Sequence, residues 1–204
     1  VVVSETELTE VQLETAEVHI VDTASYQATG LNSNTTYYIY VRANCSTEDV
    51  SDWRMKQIRT DCGANVLPYS ENFDEYTATA YDEEGTVPYC WNVVFSGSNE
   101  GFAPHVTNTD YYQPNSGSKY LVMSVAQNEA EGANAYALMP ELMNGYGNTN
   151  VSFEYRAGAT NRGTFSLGYM VGETYTNLTD ITLGSTSKVS FSYSVPSTVP
   201  ANAI

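Results

Sequence analysis

Short runs in which apolar and polar residues alternate constrain this chain most. They recur along the 204 residues, separated by Gly, Asn, Ser and Pro signals every ~8–12 residues, and amphipathic helical periodicity is almost absent. A period of two places successive side chains on opposite faces of a strand. The pattern therefore predicts an all-β protein of the sandwich or barrel type. The predicted strands cover 17–22, 25–29, 36–44, 53–59, 90–96, 119–125, 134–139, 149–157, 163–171 and 188–194.

The balance of charge argues against some partners and favours others. Asp and Glu number 24 against 8 Lys and Arg, which gives a formal net charge of −16. Nucleic acids and anionic membranes are bound through Lys and Arg, so neither is an expected partner. Carboxylate oxygens attract cations instead, and Ca²⁺ is the natural candidate. The sequence has no apolar run of about 18 residues, so no membrane insertion is expected.

The composition changes near the stretch TDCGANVLP at 60–68. Before it the expected strands are compact and β-branched, and after it the loops lengthen and become rich in Tyr, Gly and Asn. Two β-domains of modest size fit a chain of this length. We therefore place a first domain at 1–62 and a second at 63–204.

The first domain contains a spaced pattern in GLNSNTTYYIYVRANC at 30–45. In a strand, alternation puts Tyr37, Ile39, Val41 and Ala43 on one face. The other, polar face receives Tyr38, Tyr40, Arg42 and Asn44. This arrangement resembles the corner between strands E and F of a fibronectin type III domain.

That resemblance implies that Tyr37 is the corner tyrosine, whose hydroxyl bonds the backbone upstream. It also implies an immunoglobulin-like sandwich, of which 1–62 is the C-terminal part. On this hypothesis VVVS at 1–4 is the third strand, and the first two strands are missing. A small β-domain of another kind is the alternative.

The second domain carries a series of motifs: LPYSENFDEY, VPYCW, SGSKYLVM, YALMPEL, VSFEYRA and GTFSLGYM. Taken in this order, the series resembles the MAM-like jelly roll of the bacterial cleaved-adhesin family, modules of surface and secreted Bacteroidetes proteins. The resemblance implies that 63–204 is a jelly-roll β-sandwich whose last strand or strands are missing. It also implies an extracellular or cell-surface location.

Six carboxylates lie within LPYSENFDEYTATAYDEEGTVPYCW at 67–91. By the jelly-roll resemblance, Glu71 and Asp74 are candidate ligands of a structural Ca²⁺ ion. Alternation puts these two side chains on opposite faces of a strand, so a shared ion would require a bulge or a strand end. Ca²⁺ takes ~6–8 oxygens, so loop carbonyls would have to supply most of them. A solvated acidic strand end is the alternative.

Tyrosines in the DYYQPNSGSKY loop are candidate ligand contacts, because sugar rings stack on aromatic faces and jelly-roll loops bind ligands in lectins. The residues are Tyr111, Tyr112 and Tyr120. The alternative is a packing role. Nearby, His105 and Asp110 lack the serine elbow of a nucleophile–base arrangement, so no catalytic activity is expected in this region.

The three cysteines leave at least one thiol unpaired within the chain. Cys45 and Cys62 lie at opposite ends of a presumed hairpin, which makes that pairing awkward. A disulfide between Cys62 and Cys90 would staple the linker to the PYCW strand. Free thiols, or a partner outside this sequence, are the alternatives.

Together these observations predict a non-catalytic, adhesin-like module of a secreted or surface protein. Its expected partners are host or neighbouring-cell glycans, or extracellular proteins. A different hypothesis makes the chain an accessory module of a secreted hydrolase or peptidase, serving in carbohydrate binding or as a spacer.

Overall fold

A computed structural model describes residues 1–46, 49–80, 82–109, 116–124, 133–160 and 163–204. The chain divides into two compact units, Val1–Gly63 and Ala64–Ile204, a division one residue beyond the boundary placed from the sequence. The protein is all-β, as the alternation predicts, and its described strands pair in antiparallel sheets. None of the described helices has the length and apolar character needed to cross a membrane.

Unit 1 is built on a three-stranded antiparallel sheet in the order β1-β2-β5, with a small hairpin of β3 and β4 beside it in sequence. Its elements are β1 (Val2–Ser4), α1 (Glu10–Leu13), β2 (Thr36–Val41), β3 (Asn44–Ser46), β4 (Asp49–Val50) and β5 (Arg54–Arg59).

The buried core of unit 1 lies on the face of β2 that carries Tyr40. Tyr40 is 4% exposed and packs with Val2 and Leu13, and its hydroxyl accepts a hydrogen bond from the backbone N–H of Leu8 at 2.7 Å. The prediction of a polar face was wrong here, because Leu8 and Leu13 cover that face. On the opposite face the two ends differ, since Tyr37 is buried at 5% exposure whereas Val41 is 44% exposed.

The short helix α1 is formed by a capping box. The Thr9 hydroxyl accepts a hydrogen bond from the Gln12 backbone N–H at 3.4 Å, and Gln12 Oε1 accepts one from the Thr9 N–H at 2.9 Å. This reciprocal pair satisfies two N–H groups that a helix start leaves without partners. The turn delivers Leu13 to the core, which gives a four-residue helix its tertiary anchor.

Tyr37 makes the hydrogen bond that was expected of a corner tyrosine. Its hydroxyl accepts from the backbone N–H of Asn32 at 2.9 Å and lies 3.0 Å from Glu5 Oε1, to which it donates. The predicted bond to the backbone upstream is therefore confirmed. It ties the approach to β2 to the strand itself.

The predicted strands at 17–22 and 25–29 are wrong, since neither range contains a strand. Val18 and Ile20 point into solvent rather than towards a pairing partner. The backbone pairing that the structure describes in this stretch joins His19 to Val1: the Val1 terminal ammonium donates to the His19 carbonyl at 2.7 Å, and the His19 N–H donates to the Val1 carbonyl at 2.8 Å. One such pair does not make a ladder, and alternation alone does not make a strand where no second strand lies alongside.

Unit 2 contains four antiparallel strand pairs: β6–β9, β7–β8, β10–β13 and β11–β12. The strands are β6 (Asn92–Phe95), β7 (His105–Thr107), β8 (Tyr120–Val122), β9 (Ala135–Leu138), β10 (Asn150–Tyr155), β11 (Thr164–Val171), β12 (Thr174–Thr182) and β13 (Val189–Ser194), with a 3-10 helix at Glu100–Phe102. The pairing of β10 with β13 encloses the β11–β12 hairpin in sequence, so the connections cross between sheets.

The interior of unit 2 combines an aliphatic cluster with a group of aromatic rings. Tyr146 and Val195 are central to the buried cluster, and the Tyr146 hydroxyl donates to a backbone carbonyl at 2.6 Å. The rings of Phe153 and Phe165 lie 6.1 Å apart, which brings β10 against β11. Burial alternates along β10 and β13, so one face of that pair is packed and the other is solvated.

Candidate functional site

The acidic stretch that contains Glu71 forms a hydrogen-bonded turn, rather than the strand that the family resemblance implies. Glu71 Oε1 accepts from the backbone N–H of Phe73 at 2.7 Å, and Oε2 accepts from the Tyr76 hydroxyl at 2.8 Å. Phe73 has a φ of 67°, in the left-handed region, and its ring meets Trp91 edge-on at 5.9 Å. Burial, followed by the hydrogen bond to Glu71, raises the pKa of Tyr76 to about 12.

Asp74 clamps this turn to the start of β8. Its Oδ1 accepts from the Ser118 N–H at 2.7 Å, the Ser118 hydroxyl at 3.0 Å and the Lys119 N–H at 3.0 Å. The bond from the Ser118 backbone is the main cause that lowers the pKa of Asp74. In return, Lys119 Nζ donates to the carbonyls of Asp74 and Tyr76 at 2.7 and 2.6 Å. These contacts make Asp74 a structural tie between two loops.

The two carboxylates named as calcium candidates have different hydrogen-bond partners. Glu71 holds its own turn, whereas Asp74 holds the 118–119 segment. Across the described ranges, no group of three or more His, Cys, Asp or Glu side chains is placed to hold a metal ion. The arrangement therefore does not show a shared Ca²⁺ site. Calcium at Glu71 and Asp74 stays a prediction, which melting in EDTA and then in millimolar Ca²⁺ would test.

Of the three candidate ligand tyrosines, Tyr111 and Tyr112 lie outside the described residues. Tyr120 begins β8, and its hydroxyl is 2.9 Å from the Thr109 hydroxyl and 3.3 Å from the Thr109 carbonyl. Burial raises the pKa of Tyr120. Its polar end is thus engaged inside the unit, which favours packing over direct ligand contact at this residue.

His105 is the most deeply buried titratable side chain of the described part, at 1% exposure. Its Nδ1 lies 2.7 Å from the Ala103 carbonyl oxygen and its Nε2 lies 2.9 Å from the Ala80 carbonyl oxygen. Both ring nitrogens are therefore occupied by backbone acceptors. In this geometry neither nitrogen is open to serve as a general base. The histidine instead links the loop before β7 to the backbone at Ala80.

A polar surface that sequence reasoning missed lies on the β11–β12 hairpin. Asp180 Oδ1 accepts from the Ser166 hydroxyl at 2.7 Å and from the Asn177 amide at 2.8 Å. These two bonds, the Ser166 bond first, lower the pKa of Asp180. All three side chains are exposed. The carboxylate is thus ionised and fixed in direction, with no described partner for its second oxygen.

Two stacked tyrosines border this carboxylate. The rings of Tyr136 and Tyr175 lie 4.9 Å apart at 26°, and the Tyr175 ring lies against Gly168, where an added Cβ would come within 2.5 Å of two ring atoms. Burial is the main cause that raises the pKa of Tyr175, and Ser166 beside its buried hydroxyl acts in the opposite direction. We call Ser166, Asn177, Asp180, Tyr136 and Tyr175 the β12 surface.

A β-bulge brings the polar members of the β12 surface together. The register shifts between Leu167 and Gly168, and Leu178 becomes the extra residue on β12. Asn177 and Asp180 are three apart, so a regular strand would direct them to opposite faces. Alternation therefore does not predict that Asn177 and Asp180 share a face. The sequence indicates only that this segment is rich in polar residues.

The cysteines divide into two classes. Cys62 and Cys90 are disulfide-bonded, whereas Cys45 is exposed and free. Compared with protein-family models, curated proteins and solved structures, the chain matches none of them.

Proposed function

We propose that this chain is a non-catalytic, adhesin-like module of a secreted or surface protein that binds glycans or proteins of a host or neighbouring cell. The observation that carries the proposal is the β12 surface, where an oriented carboxylate stands beside an aromatic pair. Carbohydrate sites combine a ring face with a few fixed polar groups, since sugars present apolar faces and closely spaced hydroxyls.

The hydrogen bonds within the β12 surface support a binding role more than a catalytic one. Asp180 is held by Ser166 and Asn177, and glycoside hydrolysis requires a second carboxylate facing it across a cleft. No other described Asp or Glu is hydrogen-bonded to this group. A fixed acceptor with one open oxygen is suited to receive two neighbouring hydroxyl groups of a sugar.

The overall charge supports neutral ligands at this surface. A formal net charge of −16 repels sialylated or sulfated glycans, which carry the same sign. The ligand class that fits is therefore a neutral hexose oligosaccharide. The resemblances to a fibronectin type III corner and to a cleaved-adhesin jelly roll support the surface-protein setting. Under the accessory-module hypothesis the same type of surface would serve a secreted hydrolase or peptidase, whose catalytic domain lies elsewhere in the protein.

The test is a binding titration of the whole chain against a panel of neutral plant, microbial and animal oligosaccharides. Asp180→Asn keeps the shape of the acceptor but removes its charge, and Tyr136→Ala removes the outer ring. Each change is expected to weaken binding by about tenfold, the loss of one charge-assisted bond or one stacking contact. The matched control is Glu173→Gln, which makes the same charge change at the exposed tip of the same hairpin.

Saturable binding that both variants weaken and Glu173→Gln leaves intact would support the proposal. Equal binding by all variants would place the ligand elsewhere on the chain. Absence of binding to every neutral oligosaccharide at millimolar concentration would contradict the glycan role. Preference for a plant storage or cell-wall polysaccharide over animal glycans would favour the accessory-module hypothesis.

A further inference from the structure

Strand β5 is the edge of the unit 1 sheet. The order β1-β2-β5 leaves β5 with a neighbour on one side, and all six of its residues are exposed. No described strand pairs with its outer side. An edge of this kind presents unpaired backbone N–H and C=O groups to any chain that can pair with them.

The register identifies which backbone groups face outwards. Just beyond the two strands, the Thr60 N–H donates to the Thr35 carbonyl at 3.0 Å and the Thr35 N–H donates to the Thr60 hydroxyl at 2.9 Å, so this pair occupies a hydrogen-bonded position of the β2–β5 ladder. In an antiparallel ladder, bonded and non-bonded pairs alternate. Counting back along β5, Lys56 and Ile58 bond inwards to β2, while Met55 and Gln57 direct their N–H and C=O groups away from the sheet.

The side chains of β5 are unusual in this acidic protein. Arg54, Lys56 and Arg59 are three of only eight Lys and Arg residues in the sequence, gathered within one six-residue strand. Arg54 and Lys56 share a face of the strand, and neither forms a salt bridge with another described residue. Ile58 follows on that same face and is 38% exposed.

This combination selects among the chains that could pair with the edge. A second copy of β5 would bring like charges opposite one another, which opposes pairing. An extended segment with carboxylates at alternate positions would place them on the face of Arg54 and Lys56, and apolar residues between them would lie on the face of Met55, so it would be matched to this edge. Cross-strand pairs of this kind stabilise a sheet.

We propose that the outer edge of β5 binds an acidic extended segment of a partner protein, which adds to the sheet as a fourth strand. Backbone hydrogen bonds from Met55 and Gln57 supply the pairing, and Arg54 and Lys56 supply selectivity for acidic residues. This site is independent of the β12 surface, because it lies in unit 1 and recognises a peptide rather than a sugar.

The experiment uses the whole chain and three synthetic peptides followed by fluorescence anisotropy. The first peptide alternates Glu with Val, the second alternates Lys with Val, and the third alternates Glu with Pro. The Glu–Val peptide is expected to bind. The Lys–Val peptide fails on charge, and the Glu–Pro peptide keeps the charge but cannot form a hydrogen-bonded ladder.

The decisive variant is Gln57→Pro, which removes an outward N–H and leaves the inward bonds to β2 in place. Its matched control is Gln57→Ala, which retains the N–H. Gln57→Pro is expected to weaken Glu–Val binding by at least about tenfold, and Gln57→Ala by less than about twofold. Equal binding by the Pro and Ala variants, or by the Glu–Val and Glu–Pro peptides, would overturn the proposal.

A charge-reversal variant keeps the test valid if Gln57→Pro does not fold. The double change Arg54→Glu and Lys56→Glu leaves the backbone edge unaltered and reverses its selectivity. This variant is expected to bind the Lys–Val peptide and to lose the Glu–Val peptide. Failure of the unmodified chain to bind the Glu–Val peptide, or unchanged preference in the double variant, would overturn the proposal.

Discussion

Backbone donors determine the role of Asp74. Three hydrogen bonds reach one oxygen of this carboxylate, from Ser118 and Lys119, and they favour its ionised form. The sequence shows six carboxylates within one stretch, but it does not show which of them will meet a backbone N–H from a segment more than forty residues away. Contacts across that distance depend on the fold, so the site role of Asp74 was beyond sequence reasoning.

A pH dependence follows from the lowered pKa of Asp74. A folded-state pKa below the ordinary value of 3.8 means that the folded protein binds its proton less readily than the unfolded chain. The stabilisation is therefore present above about pH 4 and is lost as the pH falls through the folded pKa. Thermal melting of the parent and of Asp74→Asn is expected to differ at pH 6 and to converge towards pH 2.

Glu75→Gln is the matched control for that series, because Glu75 is an exposed neighbour in the same turn. Its melting temperature is expected to follow that of the parent at every pH. A gap between the parent and Asp74→Asn that stays constant from pH 6 to pH 2 would contradict the proposed clamp.

Alternation predicts a strand correctly where the strand has a pairing partner and one face is consistently more buried than the other. The ranges predicted at 149–157 and 188–194 contain β10 and β13, whose half-buried and exposed residues alternate without interruption. β12 was missed because its bulge places the inward residues Leu178 and Ile181 three apart, a spacing that resembles a helical period. The wrong strand at 17–22 fails for the opposite reason, since it alternates but has no partner.

The loop that precedes β8 provides a test of how the Asp74 clamp constrains an element. Gly117 has a φ of +64°, and an added Cβ would lie 2.3 Å from an oxygen of Asp74. Gly117→Ala is therefore expected to combine backbone strain with a clash, at a cost of about 2–4 kcal/mol in the free energy of unfolding. Chemical denaturation would measure it.

Gly163 offers a control of the same chemistry. Its φ is +84°, but among the described residues, apart from its chain neighbours, no atom lies within 4 Å of an added Cβ. Gly163→Ala should therefore show the strain alone, about 1–2 kcal/mol. Equal losses for the two variants would indicate that the Asp74 contact adds nothing to the constraint at Gly117.

At the scale of the whole molecule, composition predicts the fold class more readily than the pairing of strands. Alternation and turn residues indicate an all-β chain, and the shift in composition near 60–68 lies beside the division into two units. Which strand pairs with which is not encoded in alternation, so the enclosure of β11–β12 by β10 and β13 could not be derived. The β12 surface depends on a register shift, so it leaves no regular pattern in the sequence either.

The cysteine pairing can be tested directly. Peptide mapping without reductant is expected to recover Cys62 linked to Cys90, with Cys45 alkylated as a free thiol. Closing a loop of this length removes unfolded-state entropy worth about 3–4 kcal/mol, so Cys90→Ser should lower the melting temperature. Cys45→Ser is the control and should have no such effect. Alkylation of Cys62 in the native, unreduced protein would contradict the pairing.

The bulge in β12 allows the inward, packing residues and the outward, polar residues of one short segment to change separately. Leu178, the extra residue, packs towards the apolar cluster, while Asn177 and Asp180 on either side face outwards. Residues that hold the unit together and residues of the proposed ligand surface therefore occupy the same short segment without sharing a face. The outward residues of such a segment can change while its inward residues continue to support folding. Sequence differences among related chains are therefore expected to concentrate on the outward side of β12.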